Sequence, residues 1–114
     1  MAETKQYIAQ SQEQGSVQIS ENVIATIVSH AVKEVEGVAG LGNATKRAWG
    51  KGMKITISQD DELSIECYII VYFGQSVFDI AKAVQVAIRN AVQEVTGITP
   101  NAVNVNVSGI IRKA

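Results

Sequence analysis

Cysteine, proline and histidine each occur once in this chain of 114 residues, and aromatic residues make up only 5% of it. A single cysteine excludes an internal disulfide and any metal cage built from several cysteines. Long hydrophobic runs are also absent, since the longest, 67–73, is far shorter than the ~20 residues that cross a bilayer as a helix. The polar segment 1–11 lacks the apolar core of a secretory signal. The sequence therefore predicts neither a disulfide-stapled nor a membrane-spanning protein.

The rest of the composition is that of a folded protein. Apolar residues make up 46% of the chain and charged residues 18%, which is typical of globular rather than disordered sequences. The length predicts one domain that buries roughly two-thirds of its unfolded surface. A net charge of −1 predicts no general attraction to nucleic acid or to anionic lipid.

The positive charges are concentrated in one glycine-rich segment, 40–54. It holds no acidic residue, and it contains four cations and the only tryptophan: Lys46, Arg47, Lys51, Lys54 and Trp49. One interpretation is a docking loop, in which Trp49 anchors a partner and the cations contact an acidic surface or phospholipid head groups. The other is a solvated connection whose tryptophan folds back on the sheet edge. We favour docking, because an unburied tryptophan is costly, and the candidate partner-binding residues are Lys46, Arg47, Trp49 and Lys51.

The first half of the chain predicts a tail, a strand and a helix. Residues 1–14 lack apolar periodicity and predict a flexible N-terminal tail. Alternation at Val17 and Ile19 predicts a short strand. Ser20 is a good helix N-cap and Gly37 a good left-handed end. Between them, apolar residues recur at helical spacing: Ile24, Ile27, Val28, Ala31 and Val35.

The second half predicts two paired strands, a helix and a last strand. Apolar residues alternate along 53–57, then along a long strand that places 63, 65, 67, 69, 71 and 73 on one face. Ser76 with Asp79 resembles a capping box, and Gly97 ends the second helix. The inward side of that helix is predicted to hold Val77, Ile80, Val84, Ala87, Ile88, Ala91 and Val95. Alternation at Val103, Val105 and Val107 predicts the last strand.

The order of these elements predicts the fold class. Two helices with one apolar face each most simply cover the same side of a four-stranded sheet. We therefore expect an α+β two-layer sandwich of β-α-β-β-α-β order, ferredoxin-like, as a single domain over residues 15–111.

Such a sheet leaves one face without helices. By parity that face carries polar residues suited to water, namely Thr56, Ser58, Ser64, Glu66, Asn104 and Asn106. It also carries an apolar patch on the central strand, Tyr68, Ile70 and Tyr72, of a kind that marks interfaces. An interface is the favoured interpretation, and burial under the N-terminal tail is the alternative.

Residues that could perform chemistry are few. His30 and Glu34 lie four apart, but a catalytic zinc centre needs at least three protein ligands in most cases and the chain has no other histidine. Cys67 has the parity of the inward face, so we expect a packed core thiol and not a nucleophile. The acidic residues 60–62 lie in a predicted exposed turn, whereas acid–base catalysis needs desolvated carboxylates. We expect no enzyme, no cofactor and no metal.

Gly37-Val38-Ala39-Gly40 forms a Gly-x-x-Gly, which in KH domains clamps a nucleic-acid backbone between two helices. The two central residues are apolar, however, and the chain as a whole is slightly acidic. A small KH-like nucleic-acid binder is therefore the alternative function, and nucleic acid is an unlikely partner.

Several segments, in their order and spacing, resemble the alkaline shock protein family of Gram-positive bacteria: 15–24, 34–38, Cys67–Gly74, Val84–Gln85 and 103–109. The resemblance covers roughly residues 15–110. It implies a cytoplasmic, non-enzymatic stress protein linked to the cell envelope. It also implies self-association and a membrane-anchored or envelope-linked protein partner. The function expected is a scaffold or adaptor that binds through the apolar patch and the basic loop.

Overall fold

The computed structural model describes residues 4–42 and 52–112 of the chain. Two helices, α1 (Glu21–Lys33) and α2 (Val77–Thr96), are accompanied by seven strands in this part of the protein. The strands are β1 (Thr4–Lys5), β2 (Tyr7–Gln12), β3 (Gly15–Ser20), β4 (Val38–Leu41), β5 (Met53–Ser58), β6 (Leu63–Tyr72) and β7 (Ala102–Ile111).

Strand β6 is the centre of the main sheet. Along one edge it pairs in parallel with β7 over the whole length of β7. Along the other edge it pairs antiparallel with β5 at residues 63–67 and with β4 at residues 69–71. The strands β4 and β5 therefore follow one another along the same edge of β6, and β1 adds to the outer side of β5. This confirms the predicted α+β class.

One predicted strand belongs to a different sheet from the one expected. The strand expected at 17–19 exists as β3, but it pairs antiparallel with β2 in a separate two-stranded hairpin and not with the main sheet. The place expected for it in the main sheet is taken by β4, which follows α1. The pairing needs β2 as a partner, and the polar sequence before residue 15 gives no sign that a strand forms there.

The core lies between the main sheet and the two helices. Helix α1 contributes Ile24, Val28, Ala31 and Val32, and α2 contributes Ile80, Val84, Ile88 and Val92. The predicted N-caps are confirmed, because the Ser20 hydroxyl accepts from the Val23 N–H at 3.4 Å and the Ser76 hydroxyl accepts from the Asp79 N–H at 3.3 Å. Gly97 ends α2 in the left-handed conformation, with φ of 77°.

Three details of the helix and strand predictions were wrong. Helix α1 ends at Lys33, capped by Glu34, so Gly37 (φ 98°) lies beyond its end. On α2, Val92 takes the buried position, whereas Val95, on the last turn of the helix, is 64% exposed. Phe73 follows the end of β6 and is 69% exposed rather than inward-facing.

The flexible tail predicted for residues 1–14 was also wrong where the structure describes it. Residues 4–12 lie in β1 and β2, and Ile8 is part of the core at 1% exposed. Asp61, in the β5–β6 turn, holds this segment: its carboxylate accepts from the Ala9 N–H at 3.2 Å and pairs with the Lys5 ammonium at 2.7 Å. Pairing with β3 and the long-range contact with Asp61, rather than local periodicity, order the segment.

The same contacts make the anchoring of the N-terminal segment sensitive to acid. The Lys5 hydrogen bond, followed by that from the Ala9 N–H, lowers the pKa of Asp61 from its ordinary value of 3.8. A lowered pKa stabilises the folded state above the ordinary value, and the effect is lost as pH falls through the lowered one. We therefore expect the protection of the Ala9 amide against exchange, relative to an unstructured chain at the same pH, to fall over that acid range, measured by NMR.

Two substitutions test this assignment. Asp61→Asn keeps a residue that tolerates the positive φ of 62° at this position but cannot pair ionically with Lys5. We expect it to abolish the acid dependence, whereas Asp60→Asn on the exposed neighbour should preserve it. An unchanged acid dependence in Asp61→Asn would contradict the anchoring role.

Candidate interaction surface

The two faces of β6 differ along its whole length, as the alternating sequence predicts. The odd-numbered side chains point toward the helices and are 0% exposed, namely Leu63, Ile65, Cys67, Ile69 and Val71. The even-numbered ones are half-buried on the opposite face, namely Ser64, Glu66, Tyr68, Ile70 and Tyr72. The predicted apolar patch, Tyr68, Ile70 and Tyr72, is thus on the sheet face away from the helices.

The burial of Cys67 agrees with the prediction of a core thiol. Removal from water raises the pKa of its thiol to about 11. Near neutral pH the group therefore stays protonated, and the thiolate that nucleophilic chemistry requires is scarce.

Ile70 occupies a slot between the two neighbouring strands. A Cβ added at Gly42 would lie 3.0 Å from Ile70 Cδ1, and one added at Gly109 would lie 3.8 Å from Ile70 Cγ1. Irregular register on both sides, between Val38 and Gly40 in β4 and at Ser108 in β7, brings these glycines beside it. The Ser108 hydroxyl bridges the slot, with its oxygen 2.8 Å from the Gly42 carbonyl oxygen and 3.2 Å from that of Ile69.

The base of the predicted basic loop lies at the same place. The Gly42 N–H donates to the Tyr68 carbonyl at 2.9 Å, and the Tyr68 N–H donates to the Gly52 carbonyl at 2.8 Å. Gly42 and Gly52, the described residues on either side of 43–51, are therefore both held at one residue of the apolar patch. The predicted binding residues of that loop, Lys46, Arg47, Trp49 and Lys51, lie outside the described residues.

The polar half of the same face is internally hydrogen-bonded. The Asn106 side-chain amide donates to Glu66 Oε2 at 3.4 Å and to the Cys67 carbonyl at 3.2 Å. Asn104 is exposed. The face therefore divides into a polar end and an apolar end, and the loop base adjoins the apolar end.

The two residues considered as metal ligands lie at the end of α1, without a third ligand beside them among the described residues. His30 is exposed on α1, next to a groove of about 300 Å³ lined by Ala25, Thr26, Ser29, Leu41 and Met53. Glu34 is the C-cap, after the last helical residue. Among residues 4–42 and 52–112, no group of three His, Cys, Asp or Glu side chains is placed to hold a metal ion.

The Gly-x-x-Gly segment does not have the setting of a KH clamp. Val38–Leu41 forms strand β4 and pairs with β6, so Gly40 is part of an edge strand and not of a loop between two helices. The alternative function, a KH-like nucleic-acid binder, therefore lacks the loop between two helices that it requires.

One exposed apolar region was not predicted as a site. At the end of the sheet, Phe73, Ile110 and Ile111 are about half or more exposed, and Arg112 lies 5.9 Å from the centre of the Phe73 ring. Adjacent to them is a groove of about 420 Å³ lined by Tyr72, Phe73, Gly74, Gln75, Val77 and Ile110. The extra residue at Ser108 shifts the side-chain alternation of β7, and no regular pattern in the sequence indicates that shift.

A membrane-spanning helix is not found among the described helices, none of which is both long and apolar enough.

The model of the alkaline shock protein 23 family, described as having a cell envelope-related function, matches residues 9–112. The uncharacterized protein YqhY of Bacillus subtilis is 37% identical over 105 residues, spanning 84% of this chain and 77% of that protein. The uncharacterized protein Spy1535 of Streptococcus pyogenes is 28% identical over 103 residues, spanning 85% and 80%.

Solved structures share the fold at low identity. MamM-CTD 215-293 superposes with a TM-score of 0.59 at 15% identity, covering 78% of this chain and 98% of that one. A copper form of a MamM CTD variant gives 0.59 at 15% identity, covering 78% and 96%. At this identity the likeness concerns the fold alone, and it agrees with the predicted ferredoxin-like class.

Proposed function

This chain belongs to the alkaline shock protein 23 family, and from that premise we propose that it is a non-enzymatic, cytoplasmic scaffold or adaptor of the stress response. It serves cell-envelope homeostasis by associating with itself and by binding a membrane-anchored or envelope-linked protein. The observation that carries the proposal is the meeting of two candidate contact surfaces at Tyr68, the apolar patch and the base of the basic loop.

The chemistry of the described residues supports binding rather than catalysis. Cys67 is buried with a raised pKa, and His30 is an exposed histidine at the surface of α1. Aromatic side chains contribute much of the energy of protein interfaces because each covers a large area at small entropic cost. Tyr68 and Tyr72, four residues apart on the same face of the central strand, provide such a surface on a rigid support.

Self-association through the apolar patch is tested by the double substitution Tyr68→Ser with Tyr72→Ser. We expect it to reduce the mass measured by light scattering, because it removes the aromatic area from the sheet face. Tyr7→Ser, on the 49% exposed tyrosine of the hairpin, is the matched control and should leave the mass unchanged. An unchanged mass in the double variant, with circular dichroism showing a folded protein, would refute the self-association surface.

Partner binding through the loop is tested by cross-linked pull-down from host lysate, with and without nuclease. The loop variant combines Lys46→Ala, Arg47→Ala and Trp49→Ala. We expect the wild type to recover a membrane-anchored protein regardless of nuclease, and the loop variant to lose it, since tryptophan and arginine are enriched at protein interfaces. Recovery that depends on intact RNA would contradict the adaptor function.

A further inference from the structure

The outer edge of β7 is a long backbone surface away from the apolar patch. Over Ala102–Ile111 the inner edge of this strand pairs with β6. Within residues 4–42 and 52–112, no strand pairs with its outer edge. Sheet edges of this length offer a row of N–H and C=O groups on which another extended segment can pair.

Helix α2 runs beside this edge and forms a groove with it. The groove has a volume of about 260 Å³ and is lined by Phe78, Ala81, Lys82, Gln85 and Val105. Phe78 is 72% exposed, although it is a large apolar side chain next to a strand. An edge strand with an adjacent helix can hold an added strand by its backbone and alternate side chains in the groove.

One hydrogen bond shows which backbone groups of β7 face outward. The Gln85 side-chain amide donates to the Val103 carbonyl at 2.9 Å, so this carbonyl points toward α2 and away from β6. Since alternate residues of a strand direct their backbone groups to the same edge, those of Val105 and Val107 face the same way. Only the beginning of the edge is thus covered by Gln85.

The charge of the groove indicates the kind of segment that fits it. Lys82 is its one charged lining residue, and Arg89 lies exposed two turns further along α2. Strand β7 itself contains no charged residue, so a second copy that paired through its own β7 would bring no acid from that strand to Lys82. A foreign strand that carries a carboxylate matches both the backbone edge and the cation.

We propose that the outer edge of β7, with the groove beside α2, binds an extended segment of another protein by strand addition. The segment alternates apolar residues with polar ones and presents an Asp or Glu to Lys82. This inference goes beyond the proposed function, because it uses neither the apolar patch nor the loop 43–51. Both surfaces can therefore be tested independently.

Synthetic peptides that alternate valine and threonine, with one valine replaced by aspartate, asparagine or lysine, are the probes. Fluorescence anisotropy measures their binding to the full-length protein. We expect the aspartate peptide to bind tightest and Lys82→Glu to weaken it by about tenfold, through loss of a charge pair and gain of a repulsion. The lysine peptide should bind Lys82→Glu better than the wild type. Lys33→Glu on α1 is the matched control and should leave the binding unchanged.

N-methylation of the aspartate peptide at every second amide tests the backbone pairing. Of the two possible methylated versions, only one removes the hydrogen bonds to β7, so we expect one to lose binding and the other to retain it. Equal binding of both versions, or of all three charge variants, would overturn the proposal. The absence of peptide binding would also overturn the proposal. If Lys82→Glu then altered the mass of the free protein in sedimentation, that change would identify a second copy of the chain as the occupant of the edge. The double tyrosine variant should bind the aspartate peptide normally, which separates a failure here from a failure of the proposed function.

Discussion

Replacing Gly52 by alanine is expected to lower the free energy of unfolding by roughly 2–3 kcal/mol. Gly52 has a φ of 77°, in the left-handed region that residues with a Cβ seldom adopt. A Cβ there would also lie 2.8 Å from the Gly42 nitrogen and 3.2 Å from the Gly42 Cα. These are backbone atoms, so the clash is not relieved by rotating a side chain. Urea unfolding followed by circular dichroism measures the loss.

Substitutions at two other glycines distinguish the two causes of the lost stability, which are backbone strain at positive φ and the clash of the added Cβ. At Gly74, with φ of 123°, an added Cβ meets nothing within 4 Å, so Gly74→Ala introduces backbone strain without a clash. At Gly40 a Cβ is equally free and φ is not positive, so Gly40→Ala should be neutral or slightly stabilising. We expect Gly52→Ala to be the most destabilising of the three. Equal losses in Gly52→Ala and Gly74→Ala would show that the clash with Gly42 adds nothing to the backbone strain.

The closure at Gly52 also has a consequence for the proposed function. Because Gly42 and Gly52 both hydrogen-bond to Tyr68, a shift of Gly52 disturbs the attachment point of the loop next to the apolar patch. We therefore expect any partner bound through the loop to be lost together with stability in Gly52→Ala.

Replacing Ile69 by alanine is expected to cost about 3 kcal/mol, within the roughly 2–5 kcal/mol typical of large-to-small substitutions in a core. Ile69 is 0% exposed and faces the helices, so its removal leaves a cavity in the interior. Its neighbour Ile70 is half-buried on the other face, between Gly42 and Gly109. There we expect Ile70→Ala to cost only about 1 kcal/mol.

The pair of substitutions removes the same atoms from adjacent residues, so the difference in unfolding free energy measures the difference between the two faces. Urea unfolding of both variants in parallel gives that difference. Equal costs would mean that the face opposite the helices is as tightly packed as the core, and would argue against an interface there.

Sequence periodicity predicted most of what depends on neighbouring residues. The alternation along β6 placed Cys67 in the core and Tyr68, Ile70 and Tyr72 on the other face. The caps of α2 at Ser76 and Gly97 followed from local backbone chemistry. The same periodicity failed at the ends of the apolar stripes, where Val95 and Phe73 are exposed, because a period indicates which face is apolar but not where the covering layer ends.

The N-terminal segment shows why some order is invisible in a sequence. Residues 4–12 are polar enough to indicate a tail, and two features outside that segment order them: the strand Gly15–Ser20 and the carboxylate of Asp61. The burial of Ile8 follows from these contacts.

The α+β class, the inward and outward faces of β6, the N-cap of α1 and both caps of α2 could be inferred from the sequence alone. Each of these depends on a period or a cap a few residues long, which neighbouring residues encode. Long-range packing alone set three other features: β4 and β5 share one edge of β6, Gly42 and Gly52 both hydrogen-bond to Tyr68, and the outer edge of β7 lies beside α2. These are pairings between distant segments, and their register is set by the packing of the whole domain, with irregularities at Gly40 and Ser108 that no local pattern specifies.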